Sequence, residues 1–455
     1  MAKKKEKTLE EKLQEALVPE NQWPYMLPEN WCWTKGEYIL KKMESQKPDG
    51  DYFYYIDIDA IDNSCQIVTE PKQIAVCDAP SRASRKLHVG DTIFSLVRPY
   101  LKNIAYIDKS LSNSIASTGF YVCTPKKNIF PKFFYWLMIS PYVVDGLNKY
   151  MKGDNSPSIR GGDIEGFCYP IPPLPEQKRI VHRIESLFAK LDEAKEKIQQ
   201  VLDGAEMRKA AILHKAFTGE LTKNWRRENG ISEDSWEVKK LSDCGNWYGG
   251  GTPSKTHPEY WEKGNILWIT SKDMKSDYIE DSQQHINSYG VENSSAKYIE
   301  EHALICVMRS GILRHSFPVA VIKKPFTVNQ DLKVLVPNKM INIEYLLFIC
   351  KYKEQSILNS CMKNGTTVES INFDKLKNFS IMIPAEIEQI TIVNIIKKFL
   401  CRENDVLNKC NKFITSIDTM KKSILAKAFR GDLGTNNPIE DSALNLLKEV
   451  LQDKF

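Results

Sequence analysis

The chain has 455 residues, 42% of them apolar, with 63 basic and 58 acidic side chains and a net charge of +5. This is the composition of a globular protein of about three domains, and so dilute a charge leaves a local basic cleft open without requiring one. The longest apolar run, 345–350, is far too short to cross a bilayer; Met1-Ala2-Lys3-Lys4-Lys5 opens no secretory signal; and eleven cysteines with no Cys-x-x-Cys pair point to reduced thiols in a cytoplasmic protein, not a disulfide frame or a zinc site.

Residues 1–20 read as an N-terminal arm. Thr8-Leu9-Glu10-Glu11 is a capping box ahead of Leu13, Ala16 and Leu17, which predicts a short amphipathic helix. Residues 3–7 read equally well as a solvated end. Residues 21–170 read as an α+β domain. Pro28-Glu29-Asn30-Trp31 leads into strand-like runs at 52–58, 92–97 and 120–123, with helix near 133–139.

Residues 171–221 predict a long helix. Pro172, Pro173 and Pro175 remove three N–H donors and force an extended lead-in, and Glu176 suits a helix N-terminus. Ile180, Ile184, Leu187, Leu191, Ala194, Ile198, Val201 and Ala205 then recur at alternating steps of four and three, a heptad seam. Gly219 stands where a left-handed cap belongs. A helix of roughly 40 residues would be roughly 60 Å long.

After a linker at 222–235, residues 236–382 repeat the α+β outline. Glu233-Asp234-Ser235-Trp236 leads in, strands are expected at 266–270, 303–308 and 332–336, and helix near 345–350. Residues 383–433 predict a second long helix with the seam Ile392, Ile396, Phe399, Val406, Cys410, Phe413, Ile417, Met420 and Ile424, interrupted by Glu403 and capped by Gly431. Residues 434–455 form a tail, helical over 442–451, with Leu444, Leu447 and Val450 or Leu451 on one face. Both terminal helices are expected to dock on the long helices or on a partner.

Residues 170–221 and 382–433 are one segment written twice, without a gap and 212 positions apart. The chain is therefore a tandem of two halves. Two matched seams predict an intramolecular antiparallel coiled coil, with each helix packing on its own domain as the alternative.

Ile171-Pro172-Pro173-Leu174-Pro175-Glu176-Gln177-Lys178-Arg179-Ile180-Val181 and Lys215-Ala216-Phe217-Thr218-Gly219-Glu220-Leu221 resemble the spacer-helix boundaries of the specificity (S) subunit of Type I restriction-modification systems. The second copy departs from that pattern at Ala385, Glu386 and Ile387 but keeps Pro384, Glu388 and Gln389. Two further stretches resemble two classes of target-recognition domain. One is 80–85 with Gly90-Asp91-Thr92-Ile93-Phe94-Ser95, Arg98-Pro99-Tyr100 and Ser117-Thr118-Gly119-Phe120; the other is Gly250-Gly251-Thr252-Pro253-Ser254-Lys255 with Trp268-Ile269-Thr270.

The resemblance implies two target-recognition domains, each reading half of a split, asymmetric site on double-stranded DNA. It implies two long helices that serve as a ruler and as the docking place for two methyltransferase (M) subunits. Restriction (R) subunits join to cut. The chain itself would be no enzyme and hold no cofactor or metal. S-adenosylmethionine is expected on the M subunits, and ATP with Mg²⁺ on any R subunit.

Candidate DNA contacts in the first domain are Arg82, Arg85, Arg98, Ser117, Thr118, Lys152, Asn155 and Ser156. In the second they are Thr252, Ser254, Lys255, Lys272, Arg309, Arg314, Thr366 and Thr367. Each arginine could equally be a solvated surface group, and the loops about 152–156 and 363–367 could equally be plain turns. The run 249–255 lacks the spacing of a phosphate-cradling loop.

Two alternatives remain. Pro48-Asp49 with Glu70-Pro71-Lys72 fits the loose pattern of a Mg²⁺-dependent nuclease, although Pro71 argues against a central strand there. A coiled-coil scaffold that binds no DNA would leave two large domains without a purpose.

Overall fold

A computed structural model describes residues 7–363 and 368–452. They fall into two compact units, Met1–Ile198 with Lys412–Phe455, and Gln199–Asn411. Each long helix gives one part to each unit, and the two units repeat one α+β plan.

In the first unit, Cys32–Lys35 pairs antiparallel with Cys168–Ile171, closing the domain at its base. A four-stranded sheet runs Lys72–Ala75, Tyr52–Ile56, Ile115–Ser117, Ala83–Lys86, and a three-stranded sheet runs Phe120–Cys123, Thr92–Ser95, Ile104–Tyr106. The strand expected over 92–97 stops at Ser95, whose hydroxyl turns back onto the Val97 carbonyl at 2.8 Å. Helices Pro131–Met138 and Pro141–Asn148 carry Phe133, Phe134, Leu137 and Val143 into the core.

The second unit follows suit. Glu237–Lys240 pairs with Ser380–Ile383. A five-stranded sheet runs Gly245–Gly249, Leu332–Pro337, Ala303–Val307, Val319–Ile322, Tyr278–Ile279, beside the three strands Gln284–Ile286, Ile266–Ile269 and Phe326–Val328. Ile343–Tyr352 supplies the buried helix.

Both domains bury the start of one long helix and the end of the other. In the first unit Ile180, Ile184, Leu425 and Phe429 join the domain core, with Phe429 edge-on to Phe133. In the second Ile392, Ile396, Ala216 and Phe217 do so, with Phe217 edge-on to Tyr345. Each helix end is thus welded by an aromatic pair.

A buried Glu-Gln pair fixes each start. The amide oxygen of Gln177 accepts the Phe130 N–H at 2.7 Å, and its Nε2 donates to the Pro172 carbonyl at 3.0 Å. Gln389 repeats both bonds, from Asn342 at 2.8 Å and to Pro384 at 2.9 Å. The altered lead-in of the second copy therefore preserves the geometry, because the glutamine and one carbonyl set it, not the missing prolines.

The glutamates differ. Glu176 accepts from Thr435 at 2.6 Å and from Arg179, which forks onto Glu440 with two bonds of 2.7 Å. Glu388 accepts from Thr222 and from Arg226, both buried, and Arg226 also donates to the Gly219 carbonyl. Gly219 and Gly431 adopt the left-handed cap at φ +79° and +82°.

The long helices pair antiparallel in both units. Lys421 meets Asp192 at 2.6 Å in the first, and Arg208 meets Glu403 in the second. The first helix is not one continuous run. It spans Leu174–Asp203 and resumes as Ala205–Phe217. Gly204 makes room at the break: a Cβ there would lie 2.7 Å from the Arg208 guanidinium, which also donates to the Val201 carbonyl at 2.7 Å. The second helix, Glu386–Ala428, is unbroken.

Burial along the seam is uneven. Ile180, Ile184, Ile392, Ile396 and Ile417 are buried, and Leu187, Leu191, Ile198 and Phe399 are half-buried. Val201, Val406 and Phe413 are 38%, 41% and 38% exposed. Residues beside a domain are covered by it, whereas two helices alone leave a seam flank open to water. Glu403, the interruption in the heptads, is buried because Arg208 neutralises it.

The terminal helices join the first domain core, to which the ends of both long helices also belong. Leu9–Ala16, with its Thr8 capping box, and Ala443–Gln452 both pack on the first domain core. Thr34 donates to the Ala16 carbonyl at 2.8 Å, and Ala443 N–H to the Asn30 carbonyl at 2.9 Å. Leu447 and Val450 are buried as expected, but Leu444 faces outward, and Ala443 and Leu446 are buried in its place. The sequence shows that a face is apolar, not what covers it.

Removing Glu388 would leave the Arg226 charge buried without its carboxylate. Glu388→Ala should lower the unfolding free energy of the second unit by about 3–5 kcal/mol. Glu388→Gln, which retains an acceptor for Thr222, should cost less; chemical denaturation of the three proteins measures the order.

Candidate functional site

In the first domain, a set of loops meets beyond the strand Thr92–Ser95. Arg98 and Lys102, at φ +48° and +58°, flank the short turn Pro99–Leu101. Left-handed backbone at non-glycine residues costs on the order of 1–3 kcal/mol and persists only where surroundings enforce it. Here the Arg98 N–H donates to the Pro157 carbonyl at 2.8 Å, and its guanidinium donates to the Asn155 carbonyl at 3.0 Å. Lys152 and Ser158 exchange two backbone bonds of 3.0 Å around Gly153, at φ +98°. Arg98 thus pins the loop that exposes Lys152, Asn155 and Ser156.

The Thr118 N–H donates to the carbonyl of Arg82, whose side chain is exposed. Ser117 is fully buried, and its hydroxyl accepts the Gly119 N–H. Arg85 is half-buried, and its Nε has no hydrogen bond among the described residues. The fold therefore joins Arg98 to Asn155 and Arg82 to Thr118, while Ser117 and Arg85 lie inward of that surface.

The second domain builds the same frame from other residues. Arg309 bridges Ser370 as Val97 bridges Ser158, with both partners shifted by 212 positions. The Arg309 Nε donates to Asp331 Oδ1 at 2.7 Å. Asn329 holds Asp331 from the other side, donating Nδ2 to Oδ2 at 3.3 Å and accepting the Asp331 N–H at 3.2 Å. Arg314 donates Nε to Glu369, a bond that holds the glutamate below the usual carboxylate range. Arg309, Gln330, Asp331, Lys333, Lys363 and Ser370 line a cleft of about 700 Å³.

Thr252 reaches this rim by donating to Gln330. Ser254 bonds Thr256 at 2.7 Å; Lys255 and Lys272 are exposed on their own loops. Thr366 and Thr367 lie outside the described residues. The glycines before Thr252 serve packing. A Cβ on Gly250 would sit 2.2 Å from the Val328 carbonyl, and one on Gly251 2.4 Å from the Ser295 carbonyl.

Gln330, Asp331, Lys333 and Glu369 were missed in the sequence, whereas Lys363 opens the candidate loop 363–367. Adding 212 to Thr118 and Gly119 would have pointed to the polar run Asn329-Gln330-Asp331. The residues of the nuclease pattern are engaged separately: Asp49 accepts the Gly50 N–H in an exposed turn, and Lys72, in an edge strand, pairs with Asp59. No group of three or more metal-ligating side chains occurs among the described residues. Nor is any described helix long and apolar enough to cross a membrane.

Arg98→Ala should remove the tether while keeping the backbone strain, raising amide exchange at Ser158 and Lys152. Arg98→Gly removes the same bond but relieves the left-handed strain, so its loss of stability should be smaller by about 1 kcal/mol. Exchange rates and melting curves of the two variants decide.

Two stretches, 33–203 and 233–415, match the family model described as Type I restriction modification DNA specificity domain. The specificity subunit of the Type I restriction enzyme EcoR124I/EcoR124II from Escherichia coli is 32% identical over 292 residues, 62% of this chain and 66% of that one. The MjaIX specificity subunit of Methanocaldococcus jannaschii is 30% identical over 38% of this chain and 41% of its own. The alignments thus span just under two thirds and about two fifths of these two relatives. The EcoKI specificity subunit of Escherichia coli K12 is 23% identical over 73% of this chain and 74% of its own. Among solved structures, the HsdS subunit of Thermoanaerobacter tengcongensis superposes with a TM-score of 0.70 at 25% identity, covering 90% of this chain and 99% of that one. With both halves matched and the same fold in a solved relative, the chain belongs to the family of Type I restriction modification DNA specificity domain proteins.

Proposed function

We propose that the chain is the non-catalytic specificity subunit of a Type I restriction-modification complex. Each α+β domain reads one half of a split, asymmetric site on double-stranded DNA. One observation carries this reading: the same loop frame is built twice, at a constant offset of 212, and filled differently. Where one frame has Val97 and Arg98, the other has Arg309 and Ser310. A retained frame with changed contents suits two readers of different base sequences.

The long helices are the spacer and the docking surface for two M subunits, with R subunits joining for cleavage. In the second unit the exposed seam residues Val201 and Val406 offer apolar surface for such contacts. S-adenosylmethionine belongs to the M subunits, and ATP with Mg²⁺ to the R subunits.

The purified chain should neither methylate nor cleave DNA, and co-expression with its M subunit should yield methylation at one split sequence in the host methylome. Cleavage by the chain alone with Mg²⁺, abolished by Asp49→Ala, would instead establish the nuclease. A chain that confers no sequence preference on its M subunit would be a scaffold.

Exchange of residues 236–382 for another such domain should change one half-site only. One extra heptad in both helices adds about 10 Å, so it should widen the gap by about three base pairs and leave both half-sites intact. A change in the half-sites would refute the spacer role.

A further inference from the structure

We infer that Arg309 reads a guanine edge, and that Asp331 aims it. The assignment rests on the DNA-reading role proposed above.

The geometry is that of a held fork. Asp331 takes Nε, and Nε is the only guanidinium atom of Arg309 that hydrogen-bonds among the described residues. Such a contact directs the outer pair of guanidinium nitrogens away from the carboxylate. The Arg309 side chain is 57% exposed, whereas that of Asp331 is 22% exposed, so the arginine stands in front of its holder. Asp331 cannot swing away. Asn329 engages its second oxygen, and the Met308 N–H donates to its carbonyl at 2.8 Å. The Arg309 backbone is fixed in turn by its bridge to Ser370.

Charge decides between phosphate and base. A phosphate contact gains from a full positive charge, and a carboxylate beside it repels the phosphate. Arg309 carries that carboxylate, so its charge is largely cancelled. A neutral base edge meets no such penalty. Two parallel N–H donors match the O6 and N7 acceptors of guanine, and the carboxylate beside them can accept from a neighbouring cytosine or adenine amino group. Arg314 with Glu369 shows the same neutralisation. Arg98 of the first domain does not: its side-chain partner is the uncharged Asn155 carbonyl, so it keeps the charge that a phosphate wants.

The test uses the full chain co-expressed with its M subunit, with the preferred site determined by methylome sequencing and by selection from randomised duplexes. Arg309→Ala should lose about 5- to 150-fold of discrimination at one guanine. That guanine should lie in the half-site that moves when residues 236–382 are exchanged. Arg309→Lys keeps the charge but not the fork and should lose the same preference. Asp331→Asn should lose part of it at the same position, with an unchanged melting temperature marking an intact fold. Uniform weakening on every sequence, with lysine restoring it and a salt dependence shallower by about one ion in the alanine variant, would make Arg309 a phosphate contact and overturn the assignment alone. A wild-type complex with no preferred sequence would overturn the functional reading and the assignment with it.

Discussion

The polar cost of starting a helix inside a domain core governs both units. Glu176 and Gln177, and again Glu388 and Gln389, are almost wholly buried where each long helix begins. An unsatisfied polar group there would cost several kcal/mol. Each glutamine meets this cost by tying the helix start to a carbonyl of its own lead-in and to an N–H of the domain. Each glutamate is met by groups from the segment that follows the other helix, Thr435 in the first unit and, in the second, Thr222 and Arg226, which share Oε1 of Glu388 and leave its Oε2 without a hydrogen bond among the described residues. Helix start, helix exit and domain therefore hold one another. A domain attached this way cannot rotate on its helix without breaking buried hydrogen bonds, the rigidity that the proposed spacer role needs.

The two welds reach the same end by different charges. In the second unit Arg226 is buried and caps the Gly219 carbonyl. In the first, Arg179 is partly exposed and shares its fork between Glu176 and Glu440, drawing in the tail. That tail continues into Ala443–Gln452, which covers the first domain core together with the N-terminal helix. The chain ends thus close one unit as an internal linker closes the other.

Beyond the welds, the domains present loops held by hydrogen bonds and buttressing. Arg98 is fixed by its bonds to the Pro157 and Asn155 carbonyls and Arg309 by a carboxylate. Both are preorganised, so less side-chain freedom is lost on binding.

Much of the architecture is written locally. Proline placement, heptad steps, the capping box at Thr8 and the glycines at 219 and 431 each act within a turn or two of helix, so their reading needs no tertiary information. The repeat itself follows from alignment alone. The break at Gly204, the exposure of Val201, Val406 and Phe413, and the turn of Leu444 to solvent depend on what lies across from each residue. Periodicity does not contain that. For the loops the divide is sharper. Sequence could nominate Arg82, Arg98 and Arg309 as basic groups near turns. Only the fold decided that Arg85 and Ser117 point inward, and that Arg309 has a carboxylate at its back, because that carboxylate arrives from a strand connection 22 residues along the chain.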